Sequence, residues 1–346
     1  FEQLKYVNIC PQIRILNVFM TSFSKQRNLL DRVLKTFFWG LSKIIGKKRT
    51  LDVIMKFAKE SKEYDIAISY SNDIWASHVN GFFGGCNDYV LKKVKAKKKI
   101  AWIHNEPPKL GLTYELCKGT YEKFDYIINV SFACKNMFDA IIPEYKHKSK
   151  VVYNMFDIER IRALSNEENP YKEDVTHIVT VARLDNQQKR IDKIIKCCKR
   201  LKEEGITNFQ WHIVGDGPDM GLLQELSRKK GTNDVAIFEG RKENPYPYMK
   251  YADIFVLTSD YEAFPMVVRE SIITGTPVIS TNYPSAYEVV NNYGLVVEND
   301  EKSIYEAVKK IIQTPQFVNR MKEHINSNKM SNETALKQFK EVLSDL

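Results

Sequence analysis

Residues 254–270 read IFVLTSDYEAFPMVVRE: a continuous apolar run, a polar loop, then the start of a helix. Ile254–Thr258 has the length and the β-branched, aromatic character of a strand covered on both faces. Pro265 suits the first turn of a helix, where its missing N–H costs nothing. The free amides of Met266 and Val267 then point out of that helix N-terminus, which favours an anion. Glu262 stands in the loop before the helix, and Glu270 lies inside it, where a carboxylate can accept from paired hydroxyls such as those of a ribose. A lone glutamate before a helix also serves as a cap or dipole partner, so this stretch alone leaves both readings open.

The same strand–loop–helix unit recurs in both directions. Apolar runs predict strands at Arg14–Phe19, Asp65–Ser69, Lys99–His104, Tyr126–Ser131, Ser149–Tyr153, His177–Ala182, Gln210–Val214, Val235–Phe238 and Pro277–Ser280, with helical periodicity between most of them. Alternation of this kind implies an α/β protein with parallel sheets. A polar stretch containing Pro170 interrupts it, so the expected organisation is a domain over 1–155, a linker over 156–174, a second domain over 175–326 and a C-terminal helix over 327–346 that packs back toward the first domain. With 346 residues the chain is too long for one compact core and suits two. Ligands of open α/β sheets sit beyond the carboxyl ends of the strands, and the chemically distinctive residues fall there.

After the strand ending at Ala182 come Arg183 and, six residues on, Lys189, before a helix from about Ile191. A planar guanidinium and a compact ammonium on one loop suit the spread charge of a diphosphate; a solvated basic loop is the plain alternative. Gly215 and Gly217 come after the next strand and allow close backbone approach. The third glycine, Gly221, comes one place too late for a dinucleotide fingerprint, so a hydride-transfer reading is weak and a simple βα turn stays open. No aspartates stand at D-x-D spacing, so leaving-group charge would be neutralised by Arg183, Lys189 and the helix N-terminus, and no metal is expected. In the first half, His104 ends a strand and either bonds a substrate hydroxyl or is a structural histidine held by nearby backbone.

The net charge of +9 is unevenly placed: residues 1–150 hold 26 Lys and Arg against 14 Asp and Glu, and the rest hold 26 against 29. The basic first half suggests a polyanionic partner. Residues 27–49 place Leu30, Val33, Leu34, Phe37, Phe38, Leu41, Ile44 and Ile45 at helical spacing among Arg32, Lys35, Lys43, Lys47, Lys48 and Arg49. This fits a helix lying on an anionic membrane surface, or one packed on a sheet. The lysines of 92–99 read as a solvated helix end, with an extra electrostatic contact second. No helix-turn-helix, zinc or aromatic RNA-binding signature is present, so nucleic acid is not a partner. The 43% apolar content excludes general disorder, and no apolar run approaches the ~20 residues of a spanning helix. Six cysteines without a CxxC pair, and no signal-peptide pattern in the N-terminal residues, lead us to expect a reduced, cytoplasmic protein.

Taken together, VARLDNQQKRID (181–192), IVGDGP (213–218), ADIFVLTSDYEAFPMVVRE (252–270) and GTPVISTN (275–282) resemble the retaining family-4 glycosyltransferases of the GT-B fold, as found in bacterial surface-polysaccharide synthesis. The resemblance is specific over about residues 99–300 and looser toward both ends. It implies two Rossmann-like domains with parallel sheets facing across a cleft. The first apparently lacks its initial βαβ unit, since FEQLKYVNICPQIRILNVF resembles the segment that comes after that unit in the family. By this resemblance Arg183 and Lys189 take the donor diphosphate and Glu270 the ribose. Gly215, Gly217, Phe264, Pro265, Met266 and Val267 join the donor-binding set, and Lys242 meets the base. Glu262 and His104 sit beside the transferred sugar. Position 190 is Arg where many relatives have Gly, which we expect to be tolerated. The implied activity is transfer of a hexosyl or N-acetylhexosaminyl group, from a nucleotide-diphosphate sugar with uracil favoured over guanine, to a lipid-linked or other saccharide acceptor at the inner face of the plasma membrane. The nucleotide-sugar is a substrate, and no cofactor is implied. A sugar-nucleotide epimerase, or a silent nucleotide-sugar-binding protein, is the alternative.

Overall fold

A computed structural model describes residues 28–57, 62–72 and 85–344. Within these the chain forms two compact units: one takes the residues up to 130 with 134–152 and 340–344, the other 131–133 with 153–339. The expected strand Arg14–Phe19, Cys10 and the 1–19 segment lie outside the described residues.

In the first unit, α1 (Leu29–Ile45) and α2 (Lys47–Met55) precede β1 (Glu63–Ser69), α3 (Cys86–Lys92), β2 (Lys95–Ile103), α4 (Tyr114–Tyr121), β3 (Tyr126–Asn129), α5 (Phe132–Ile141) and β4 (Ser149–Val151). The four strands are parallel, in the order β1-β2-β3-β4. Asn28 caps α1 by accepting from the Leu30 N–H. One flank of α1, with Leu34, Phe38 and Leu41, packs into a core built around Leu51, Ile54, Ile103, Ile127 and Phe138. An adjacent flank leaves Leu29, Leu30, Val33, Phe37 and Ile44 exposed, so the apolar arc is wider than the core uses.

Two expectations are corrected here. Lys35 is buried on the side of Phe38, so it is not part of the exposed basic surface. Burial lowers the pKa of its ammonium. The lysines of 92–99 do not form one helix end: α3 stops at Lys92, and Lys95–Lys99 open β2. Lysine is a poor strand former, but here the ladder with β1 fixes the backbone and the charges are answered across it. Lys97 bonds Asp65 at 2.6 Å, and Lys98 lies 3.5 Å from Asp125.

The second unit continues with α6 (Ile158–Ser165), β5 (Thr176–Val181), α7 (Asn186–Lys189), α8 (Ile191–Glu203), β6 (Phe209–Val214), α9 (Met220–Lys230), β7 (Ala236–Gly240), α10 (Tyr246–Tyr251), β8 (Ile254–Leu257), α11 (Met266–Ile273), β9 (Val278–Thr281), α12 (Ala286–Val290), β10 (Gly294–Val297), α13 (Glu301–Gln313), α14 (Pro315–Ser327) and α15 (Glu333–Ser344). Within the stretch read as a linker, α6 is a capped helix: the Asp157 carboxylate accepts from the Arg160 N–H at 3.2 Å. β10 has no counterpart among the expected strands; GLVV is a four-residue run directly after a turn over residues 291–293.

All six strands of this sheet are parallel, in the order β10-β9-β8-β5-β6-β7. The chain therefore leaves β5 toward β6 and β7 on one side, then returns to lay β8 on the other. Loops after β5 and β8 depart in opposite directions, which opens a crevice at their carboxyl ends. Below it the core contains Ile178, Trp211, Ile213, Ile254, Cys197, Cys198 and Tyr305. Burial pushes both thiols up, leaving them inert. The Trp211 Nε1 donates to Thr180 Oγ1 at 3.0 Å, which donates to the Val256 carbonyl at 2.6 Å, so the polar atoms crossing β6-β5-β8 are satisfied. Among the described residues no helix is long and apolar enough to cross a membrane.

Candidate functional site

The crevice at β5 and β8 brings together residues that are far apart in sequence. The Lys189 ammonium lies 2.5 Å from Glu262 Oε1, and both side chains are largely buried. That oxygen also accepts from Ser259 Oγ at 2.8 Å, while Ser285 Oγ donates to the Glu262 carbonyl at 2.9 Å. Glu262 is thus held by two serines and one lysine in a fixed orientation. Thr258 Oγ1 donates to the Lys189 carbonyl at 2.8 Å, which ties the tip of β8 to the loop after β5.

Arg190 reinforces that tie. Its backbone sits in the left-handed region, φ 51° and ψ 46°, where a side chain costs about 1–2 kcal/mol relative to glycine. Its guanidinium bonds Asp192 at 2.9 and 3.1 Å and Asp260 at 2.9 Å. Those bonds raise its pKa. Lys193 adds a 2.8 Å bond to the other Asp260 oxygen, and against burial these partners hold the Asp260 carboxyl low. A glycine would adopt this left-handed backbone without strain, and the two aspartates offset its absence. Asp192, Lys193, Ser259 and Asp260 were not singled out from sequence; the signal available was the departure at position 190.

Arg183 projects from the end of β5, exposed and without an ion pair among the described residues. Gly215 and Gly217, just after β6, lie against the Arg183 neighbours Ala182 and Leu184. A Cβ on Gly215, which has φ 141°, would stand 1.9 Å from the Ala182 carbonyl oxygen, and one on Gly217 2.4 Å from that of Leu184. The Leu184 N–H donates to the Asp216 carbonyl at 3.0 Å, and the Asp219 N–H to the Leu184 carbonyl at 3.1 Å. The glycines are therefore needed for the close passage of the two loops, which fixes the stem that carries Arg183.

From β8 the chain enters α11 at Pro265, as the sequence predicts, and the N–H groups of Met266 and Val267 have no acceptor among the described residues. Glu270, within α11, is half-buried, and desolvation raises its pKa. The Phe264 ring turns away from this chemistry: it is buried with its centroid 5.6 Å from that of Tyr153, and the Arg269 guanidinium lies 5.8 Å away. Lys242, in the loop after β7, lies 3.3 Å from Glu239 and 5.2 Å from the Tyr248 ring.

His104 belongs to the first unit and comes directly after β2. Its ring bonds the Tyr70 backbone carbonyl and stacks with Trp102 at 6.0 Å, while Nε2 is buried without a partner among the described residues. Burial lowers its pKa, which favours the neutral ring. One ring nitrogen is thus anchored by backbone, and the other keeps its hydrogen-bonding capacity. Lys43, Lys48 and Arg49 are exposed, and Lys47 is half-buried. No group of three or more His, Cys, Asp or Glu among the described residues is placed to hold a metal ion.

Residues 162–328 match the family model of the glycosyl transferases group 1. The matched stretch contains every candidate residue of the second unit. Its curated relatives include an uncharacterized glycosyltransferase of Methanocaldococcus jannaschii, 30% identical over 68% of this chain and 59% of the relative. Another is the N-acetylgalactosamine-N,N'-diacetylbacillosaminyl-diphospho-undecaprenol 4-alpha-N-acetylgalactosaminyltransferase of Campylobacter jejuni, 28% identical over 60% of this chain and 52% of the relative. The chain thus spans little more than half the length of these relatives. Among solved structures, the Anabaena protein HepE in complex with UDP aligns with a TM-score of 0.60 at 18% identity, over 75% of this chain and 74% of that one. The fold is the GT-B α/β fold, with a parallel sheet in each unit.

Proposed function

We propose that this protein is a retaining glycosyltransferase that moves a hexosyl or N-acetylhexosaminyl group from a nucleotide-diphosphate sugar, with uracil as the base, to a lipid-linked saccharide in capsule, exopolysaccharide or cell-wall glycan synthesis. The observation that carries it is the Lys189–Glu262 contact at the β5–β8 crevice, beside an exposed Arg183 and the open N-terminus of α11. Support for the substrate class comes from the HepE complex with UDP and from the diphospho-undecaprenol acceptor in the name of the Campylobacter relative.

In this reading, residues 175–326 bind the donor and residues 1–155 the acceptor. The donor diphosphate draws Lys189 off Glu262 and is shared by Lys189, Arg183 and the amides of Met266 and Val267. Charge that develops on the departing phosphate is stabilised by these fixed donors without a metal. Glu262, released from the ammonium but still held by Ser259, then faces the donor sugar, and Glu270 accepts from the ribose hydroxyls. Positioning supplies much of the remaining rate. The neutral His104 ring offers Nε2 as an acceptor for a sugar hydroxyl. The exposed apolar flank of α1, with Arg32, Lys43, Lys47, Lys48 and Arg49 beside it, rests on an anionic membrane surface at its inner face.

Thermal shift against uridine- and guanosine-diphosphate sugars, and then nucleotide release on a polyprenyl-diphosphate saccharide, tests the proposal. A uridine-diphosphate sugar should stabilise the fold, and the acceptor should trigger release of the nucleotide. Donor isomerised without acceptor would indicate an epimerase, and binding with no turnover on any acceptor a silent binding protein.

A further inference from the structure

Three neighbouring strands carry a buried polar chain that the proposed site does not use. His177 on β5 places Nε2 2.8 Å from the Glu173 carbonyl and Nδ1 3.2 Å from Nε2 of His212 on β6. The other His212 nitrogen, Nδ1, lies 3.0 Å from Glu239 Oε1 on β7. The second Glu239 oxygen accepts from Tyr248 Oη at 3.0 Å and lies 3.3 Å from the Lys242 ammonium. Both histidines are buried. Tyr171 covers the chain, its ring stacked 4.2 Å from that of His177 and its hydroxyl donating to the Tyr248 carbonyl at 2.6 Å.

Counting protons fixes the charge of this chain. A backbone carbonyl and a carboxylate only accept, so the two outer nitrogens, His177 Nε2 and His212 Nδ1, both donate. The inner N···N contact needs one proton of its own. Three protons on two imidazoles, each of which holds one when neutral, give the pair a single positive charge opposite Glu239, held against burial, which lowers the His177 pKa. The His212 bond is the foremost cause holding the Glu239 carboxyl down at about 2, so it stays ionised. The pair's other charged or titratable neighbours are Asp253, whose carboxylate accepts the backbone N–H of His177 at 2.9 Å, the Glu173 carboxylate, Tyr171, Tyr248 and Lys242.

We propose that His177 and His212 hold one proton in common and act through Glu239 as positioning residues for Lys242 and the loop over residues 240–246. This rests on the reading of that loop as the nucleobase contact. Loss of the third proton leaves one of the three contacts without its hydrogen, at the Glu173 carbonyl, between the rings or at Glu239, so the chain is complete at lower pH and weakens as pH rises and that proton leaves. Glu239 is then tied to the sheet less firmly, and Lys242 with it.

Four proteins test this: wild type, His212→Asn, whose amide donates to Glu239 without titrating, His212→Phe, which cannot donate, and Glu239→Gln as a second probe should the Phe variant not fold. Amide-exchange protection of residues 240–246 should fall about tenfold in wild type as the pair deprotonates, which nitrogen NMR of the histidine rings tracks directly. The protection should be independent of pH in His212→Asn and low at every pH in His212→Phe and Glu239→Gln. With uridine diphosphate as the probe, Kd should show the same pattern, and turnover variants should change KM and leave kcat. Equal protection and pH slope in all four proteins, or rings that carry only two protons at low pH, would overturn the proposal. If wild type binds no uridine diphosphate, the functional reading fails instead, and the exchange data alone decide the positioning role.

Discussion

The Lys189 ammonium and Glu262 Oε1 meet at 2.5 Å across 73 residues of sequence, at the ends of two strands that are neighbours only because the chain doubles back to lay β8 against β5. Burying this pair costs desolvation on both sides, and removing one partner strands the other. Lys189→Ala and Glu262→Ala should each abolish sugar transfer and each lower stability by about 2–4 kcal/mol, whereas the double variant should lose less than the sum. Urea denaturation with a turnover assay checks this; additive losses would mean that the contact is not an energetic pair.

Arg190 permits a sharper test because backbone and side chain pull in opposite directions. Arg190→Ala keeps the strained left-handed backbone and loses the bonds to Asp192 and Asp260, whereas Arg190→Gly loses the bonds but relieves the strain. Partly exposed ion pairs contribute little individually, so Gly should be the more stable variant by about 1 kcal/mol. Thermal or urea melts of the two proteins decide it, and an Ala variant as stable as the Gly variant would contradict the strain argument.

Gly217→Ala places a Cβ 2.4 Å from the Leu184 carbonyl oxygen. Backbone cannot yield as a flexible side chain does, so the loop after β5 must shift, and Arg183 and Lys189 with it. We expect a loss of about 2 kcal/mol or more and a large rise in the nucleotide-sugar KM. Gly221→Ala, which meets nothing within 4 Å, is the matched control and should behave as wild type.

On the first unit, neutralising Lys43, Lys47, Lys48 and Arg49 together should weaken sedimentation with phosphatidylserine-containing vesicles by at least tenfold, given about 1 kcal/mol per basic residue near such a surface. Lys35→Gln should leave vesicle binding unchanged, since that side chain is buried. Equal vesicle binding by the quadruple variant and wild type would return α1 to the role of a packing helix.

Much of this was legible in the sequence because local signals and the fold agree. The apolar runs marked nine of the ten described strands, and Pro265 marked the start of α11, since both depend on near neighbours along the chain. The lysines of 92–99 were misread because strand ladders are formed by distant partners: Asp65 and Asp125 answer charges that, read locally, looked like a solvated helix end. Lys35 was misread for a related reason, since periodicity gives a helix face but not which part of a wide apolar arc turns inward.

The sequence by itself determined that parallel α/β units are present, that Arg183, Lys189 and Glu262 come just after strands with Glu270 in the helix that follows, and that position 190 is unusual. Only the tertiary structure decided that Lys189 bonds Glu262, that Gly215 and Gly217 make room for the backbone of residues 182–184, and that two histidines 35 residues apart share a contact ending on Glu239. The physical reason is strand order. A strand's residue types depend on its being covered, whereas its neighbours depend on how the crossovers close, and the contacts that make the site run between neighbours.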